Sequence, residues 1–176
     1  MLIFIFLAIS LLSHSAIVMA LPPVFAGIEP WGFFVNNTIY QPTHNQSVFY
    51  PRFVELQDGT ILATTSLAGV SPPYFPIFES KDGGASWKYV SKLIDQVNGW
   101  GMSAQPALAE LTEPLGGYKA GTILGSGNSW SKSGTKIDLY ASIDRGRTWE
   151  FVSHVAQGGP PNTTNGADPI WEPYIM

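Results

Sequence analysis

Residues 80–87, Ser80-Lys81-Asp82-Gly83-Gly84-Ala85-Ser86-Trp87, return as residues 142–149, Ser142-Ile143-Asp144-Arg145-Gly146-Arg147-Thr148-Trp149. The displacement is 62 positions (142 less 80), and Gly59-Thr60-Ile61-Leu62 recurs at the same displacement as Gly121-Thr122-Ile123-Leu124. Further upstream, Pro51 and Glu55-Leu56 answer to Pro106 and Glu110-Leu111 at a displacement of 55. The seven-residue difference falls in the insertion 113–119, beside a turn, where extra residues are tolerated. Two distant matches in one register mark an internal repeat.

Each repeat reads as four short strands separated by Gly, Pro, Asn and Asp, with no helical period between them. The expected strands are 50–57, 60–66, 74–80 and 87–93 in the first unit. In the second they are 104–111, 121–127, 136–142 and 148–155. Four antiparallel strands in 50 to 60 residues is the size of a propeller blade. The fold expected is therefore all-β, with blade one at 47–95 and blade two at 103–156. A third unit opens at 171–176, where Pro173 repeats Pro51 and Pro106. Two blades cannot close a ring, so uncovered sheet faces and unpaired edges are expected to favour association.

The repeated octet has the form S-x-D-x-G-x-[ST]-W, which is the chemistry of a tight turn. Asp82 and Asp144 can accept backbone N–H bonds as in an Asx-turn, with Ser80 and Ser142 beside them. Gly84 and Gly146 permit positive φ. Trp87 and Trp149 bring large apolar surfaces, and their indole N–H groups need partners when buried. These residues are read as structural rather than catalytic.

Residues 1–20 contain no Lys, Arg, Asp or Glu and end in small residues. They are read as a secretory signal peptide, followed by an N-terminal segment, 21–46. Sequons at Asn36, Asn45 and Asn162 accord with export and glycosylation. The nine basic and thirteen acidic residues give a net charge of −4. With no basic cluster, this argues against nucleic acid or an anionic membrane surface as partner. There is no cysteine, so the fold must stand on packing. His44 and His154 lack ligand-like companions; neither a metal nor another cofactor is implied.

The octet is the Asp-box of sialidase-like propellers. Together with Tyr50-Pro51-Arg52, Tyr74-Phe75-Pro76-Ile77, Val97-Asn98-Gly99-Trp100-Gly101, Phe151-Val152-Ser153-His154-Val155 and Trp171-Glu172-Pro173, it makes the chain resemble fungal glycoside hydrolase family 93, from about Ser47 onward. That resemblance implies a six-bladed propeller of which this is an N-terminal piece. It also implies a secreted retaining exo-α-L-arabinanase with an oligosaccharide or polysaccharide substrate, and no obligate protein partner. It makes the glutamate of Trp171-Glu172-Pro173 one of two catalytic carboxylates.

In a propeller the inner strands line the channel and the crossing loops share its rim, opposite the Asp-boxes. Tyr50, Arg52, Gln105 and Glu172 thus face the channel, Glu172 in partly desolvated surroundings beside Trp171. Arg52 and Gln105 can donate to sugar hydroxyls or brace neighbouring strands. Trp100 and Trp171 can stack on a furanose or simply pack. Trp130, in an expected loop from Ser126 to Thr135, is a weaker candidate of the same kind. Glu172 can instead cap a strand end. No second carboxylate stands at the inner-strand starts, so the chain alone is expected to be inactive. A sialidase is a neighbouring possibility, and a non-catalytic glycan- or protein-binding propeller is the alternative from another class.

Overall fold

A computed structural model describes residues 36–176. The expected leader, 1–20, and the first part of the segment 21–46 lie outside the described residues. Eight strands follow in order: β1 Ser47–Glu55, β2 Ile61–Ala68, β3 Phe75–Ser80, β4 Lys88–Leu93, β5 Ala104–Glu110, β6 Ile123–Ser131, β7 Gly134–Ser142 and β8 Glu150–Gly158. They form two four-stranded antiparallel meanders, β1-β2-β3-β4 and β5-β6-β7-β8. These are two successive blades of a partial propeller, with β1 and β5 innermost.

The central strands β2 and β3 are buried almost throughout. Between the sheets lie Phe75, Ile77, Leu93, Met102 and Tyr140, and below them Leu56, Leu62 and Ile123. Trp149 packs against both groups and so seals the junction.

Two expectations are corrected. The segment from Ser126 to Thr135 is not a loop: β6 runs to Ser131 and turns through Lys132 and Ser133 into β7, placing Trp130 in the ladder opposite Thr135. Gly127 in this segment, and Gly125 just before it, make room for the neighbouring blade. A Cβ on Gly127 would lie 2.1 Å from the Phe75 ring, and one on Gly125 would lie 2.5 Å from Leu93 Cδ1. The inner strand expected to open at Trp171 is also not formed. Residues 171–176 have no ladder partner among the described residues, although Ile175 reaches the groove between Val54 and Leu108.

Both Asp-boxes form the turn expected of them. Asp82 Oδ1 accepts from Ser80 Oγ at 2.8 Å and from the Ser86 N–H at 2.9 Å, and Ser80 Oγ accepts from the Gly84 N–H at 2.8 Å. Asp144 repeats these bonds with Ser142 at 2.8 Å and the Thr148 N–H at 2.8 Å, and Gly146 N–H donates to Ser142 at 2.7 Å. Gly84 and Gly146 have φ of +91° and +78°. A second left-handed position precedes each, filled by Gly83 in one turn and by Arg145, at +63°, in the other.

Candidate active site

Three residues stand immediately before the repeated prolines: Tyr50, Gln105 and Glu172. All three adopt positive φ, at +50°, +56° and +61°. Non-glycine residues rarely do so, at a cost on the order of 1–3 kcal/mol each. Proline has no N–H for the ladder, so the inner strand breaks there and bulges. The pairing slips between Phe49 and Arg52 in β1, and between Ala104 and Ala107 in β5. Glu172 repeats the conformation without a strand. The shared device turns each of these side chains out of the regular pleat.

The surroundings hold two of these residues together. Gln105 is buried, its N–H donating to Ser66 Oγ at 3.0 Å. Its carboxamide grips Glu172 twice: Nε2 donates to the carboxylate Oε1 at 2.7 Å, and Oε1 accepts from the Glu172 N–H at 3.2 Å. Arg52 Nη2 lies 3.9 Å from the other carboxylate oxygen, and its guanidinium stands 5.9 Å from the Tyr50 ring centre. Tyr50, Arg52, Gln105 and Glu172 thus converge from both blades.

The desolvation expected at Glu172 is not found, since its side chain is 59% exposed. Trp171 packs edge-on against Trp130, with ring centres 5.4 Å apart. The segment before it is pinned to blade two: Ile170 N–H donates to Thr135 Oγ1 at 3.0 Å and Asn128 Nδ2 donates to the Ile170 carbonyl at 2.7 Å.

The crossing loop that carries Trp100 is wound around Asp95. This carboxylate accepts backbone N–H bonds from Val97, Asn98, Trp100 and Gly101 at 2.7–2.9 Å. Burial pushes the Asp95 carboxyl up, but the four N–H donors outweigh it and leave its pKa lowered. Asn98 then bridges the blades, donating to the buried Asp138 and accepting from Lys136 Nζ at 2.8 Å. Lys136 Nζ lies 5.1 Å from the Trp100 ring centre, so one face of that indole meets a cation. Asp138 also meets His154 Nδ1 at 2.6 Å. Sequence reasoning missed this network; the one local signal was Asp95 ahead of Asn98-Gly99, a turn-forming run.

Searches with family models and among curated proteins find no match. Solved structures do match. An α-L-arabinofuranosidase of glycoside hydrolase family 93 from Fusarium graminearum, in complex with arabinobiose, is 48% identical, with a TM-score of 0.76 over 78% of this chain and 40% of that one. A mutant of the Fusarium graminearum enzyme bound to an iminosugar inhibitor is 50% identical, with a TM-score of 0.71 over 73% and 37%. A Penicillium chrysogenum α-L-arabinanase complexed with arabinobiose is 46% identical, with a TM-score of 0.71 over 73% and 38%.

The chain is a relative of the family 93 glycoside hydrolases. It spans well under half the length of these family 93 structures.

The other candidates fall outside the Glu172 cluster. Arg145 and Arg147 sit on the Asp-box rim, paired with Asp58 and, at 3.5 Å, with Glu79. That leaves Arg52 as the arginine beside Glu172. Glu110 Oε2 accepts from the Gln57 N–H at 2.7 Å, a bond between the blades, which accords with a structural reading of Glu110. Among the described residues no group of three or more His, Asp or Glu side chains is arranged to hold a metal ion. Asn36, Asn45 and Asn162 are exposed.

Proposed function

We propose that this chain is part of a secreted retaining exo-glycosidase acting on arabinan, with Glu172 one of its two catalytic carboxylates. The observation that carries the reading is the convergence of Glu172 with Gln105 and Arg52 at the channel mouth. It is supported by near-half identity to structures of arabinan-active enzymes. A carboxylate so held can attack the anomeric carbon or donate a proton to the leaving oxygen. Arg52 and the free valences of Gln105 offer donors to sugar hydroxyls, and Trp100 and Trp171 offer apolar faces at the same rim. Residues 1–20 direct export, and Asn36, Asn45 and Asn162 accept glycans on the way.

Retention requires a second carboxyl group about 5–5.5 Å from the first. The polar partners of Glu172 among the described residues are Gln105 and Arg52, neither of them an acid. The second carboxylate therefore comes from blades beyond this chain, and the chain alone does not turn over substrate.

The test joins the chain to the portion of the Fusarium graminearum enzyme that it does not span, and follows the products released from arabinan. The completed protein should cleave from chain ends with retention of configuration. Glu172→Gln should lower the chemical step at least a thousandfold, about 4 kcal/mol of barrier, while Glu55→Gln leaves it unchanged. Activity of Glu172→Gln within tenfold of the parent would make Glu172 a structural residue.

A further inference from the structure

Gln105 stands at the bulge of β5, where the pairing steps from Ala104 with Asn128 to Ala107 with Ser126 and passes over it. The partner for its N–H comes from the other blade. Ser66 Oγ, on the buried part of β2, accepts that N–H at 3.0 Å. A left-handed residue other than glycine persists only where its surroundings over-determine it. Here a hydroxyl of blade one secures a φ of +56° in blade two, at a residue that is itself buried.

The next contact carries the same logic one step further. Glu172 is half exposed, has a φ of +61° and belongs to no ladder. A single carboxamide fixes it instead. Gln105 Oε1 accepts from the Glu172 N–H at 3.2 Å, and Gln105 Nε2 donates to the Glu172 carboxylate Oε1 at 2.7 Å. One bond ties the backbone and the other ties the carboxylate, so the side chain is oriented against its own main chain. A carboxamide presents an acceptor and a donor in one plane. Glutamate in its place would set carboxylate against carboxylate, and lysine or arginine could not accept. The other carboxylate oxygen of Glu172 stays open, with Arg52 Nη2 3.9 Å away as its charged neighbour.

We propose that Gln105 is the positioning residue of the Glu172 carboxylate and that Ser66 is the anchor behind it. Blade one thus aligns a carboxylate that follows blade two, through three hydrogen bonds in series. Oε1 is taken by the carboxamide, and Oε2 is the oxygen presented to substrate. The contribution of Gln105 therefore falls mainly on the chemical step, since displacing a reacting group by about 1 Å costs on the order of a hundredfold in rate. This consequence rests on the reading of Glu172 as a catalytic carboxylate.

The test uses the completed protein, with Glu172→Gln as the reference. Gln105→Met keeps length and apolar burial but can neither hold the carboxylate nor accept from the N–H. It should lower turnover of arabinan by about thirtyfold or more, while arabinobiose affinity by calorimetry stays within about fivefold of the parent at an unchanged number of sites. In crystals its Glu172 carboxylate should be displaced. Ser66→Ala, which reaches Glu172 only through Gln105, should lower turnover in the same sense by less. Loss of turnover in Glu172→Gln with turnover of Gln105→Met within about threefold of the parent overturns the proposal alone. So does a Gln105→Met protein that keeps its turnover but binds arabinobiose more than about tenfold more weakly, which would make Gln105 a sugar ligand. A Gln105→Met crystal structure with Glu172 unmoved overturns it whatever the activity. Turnover that survives Glu172→Gln overturns it together with the reading beneath it.

Discussion

In the second Asp-box the Trp149 indole donates to Ser91 of the adjoining blade at 3.2 Å, whereas in the first the Trp87 indole bends back to the carbonyl of Gly84 at 3.0 Å. The turns beneath them share the same serine, aspartate and glycine bonds. Local sequence therefore dictates the turn, and the neighbouring sheet dictates what the indole does. The same contrast runs along the inner strands. Most of β1 is exposed, while β5, its counterpart, has its first half buried against blade one. What separates the two blades is whether a neighbouring sheet covers that face.

The largest expected effect attacks that difference directly. Trp149→Ala should cost about 3–5 kcal/mol by chemical denaturation, as removal of a packed tryptophan does. Trp87→Ala should cost well under half as much, because its ring lines an open groove. Equal costs would mean that the two blades are equally covered and would break the comparison.

A smaller effect is expected from acid. Hydrogen bonds from the Ser86 hydroxyl and N–H, with Ser80, hold the Asp82 carboxyl at about 2; the Arg145 guanidinium does the same for Asp58. Burial raises the Asp144 carboxyl, but bonds from Thr148 and Ser142 leave it lowered. A carboxylate whose folded pKa lies below its unfolded value adds stability above about pH 4 and loses it as the pH falls towards about 2. The melting temperature should therefore drop across that window. Asp82→Ala and Asp144→Ala should each shrink the drop. Both variants should melt lower at neutral pH, the Asp144 variant by more, because Gly146 of its turn approaches Ile77 and Leu62 of blade one.

The repeat offset made the strand order and both turns legible before any coordinates. It failed at Ser126–Thr135, a run rich in glycine, serine and asparagine that reads as a loop. There Gly127 serves close approach by Phe75, and Asn128 and Ser129 are polar yet wholly buried. Composition cannot distinguish a turn from a strand that has been thinned to admit its neighbour. The meeting of Arg52, Gln105 and Glu172 was legible because each stands beside one of three equivalent prolines, Pro51, Pro106 and Pro173. The link from Asn98 to Asp138 was not, since its partners lie 40 residues apart and meet only once the blades pack.

The most direct test of the account is where arabinobiose binds in crystals of the completed protein carrying Glu172→Gln. The sugar should lie at the channel rim, within hydrogen-bonding distance of Arg52, Gln105 and residue 172, with Tyr50 and Trp171 alongside. Arabinobiose bound on the Asp-box rim or in the groove over Trp87, with residue 172 facing only solvent, would contradict it.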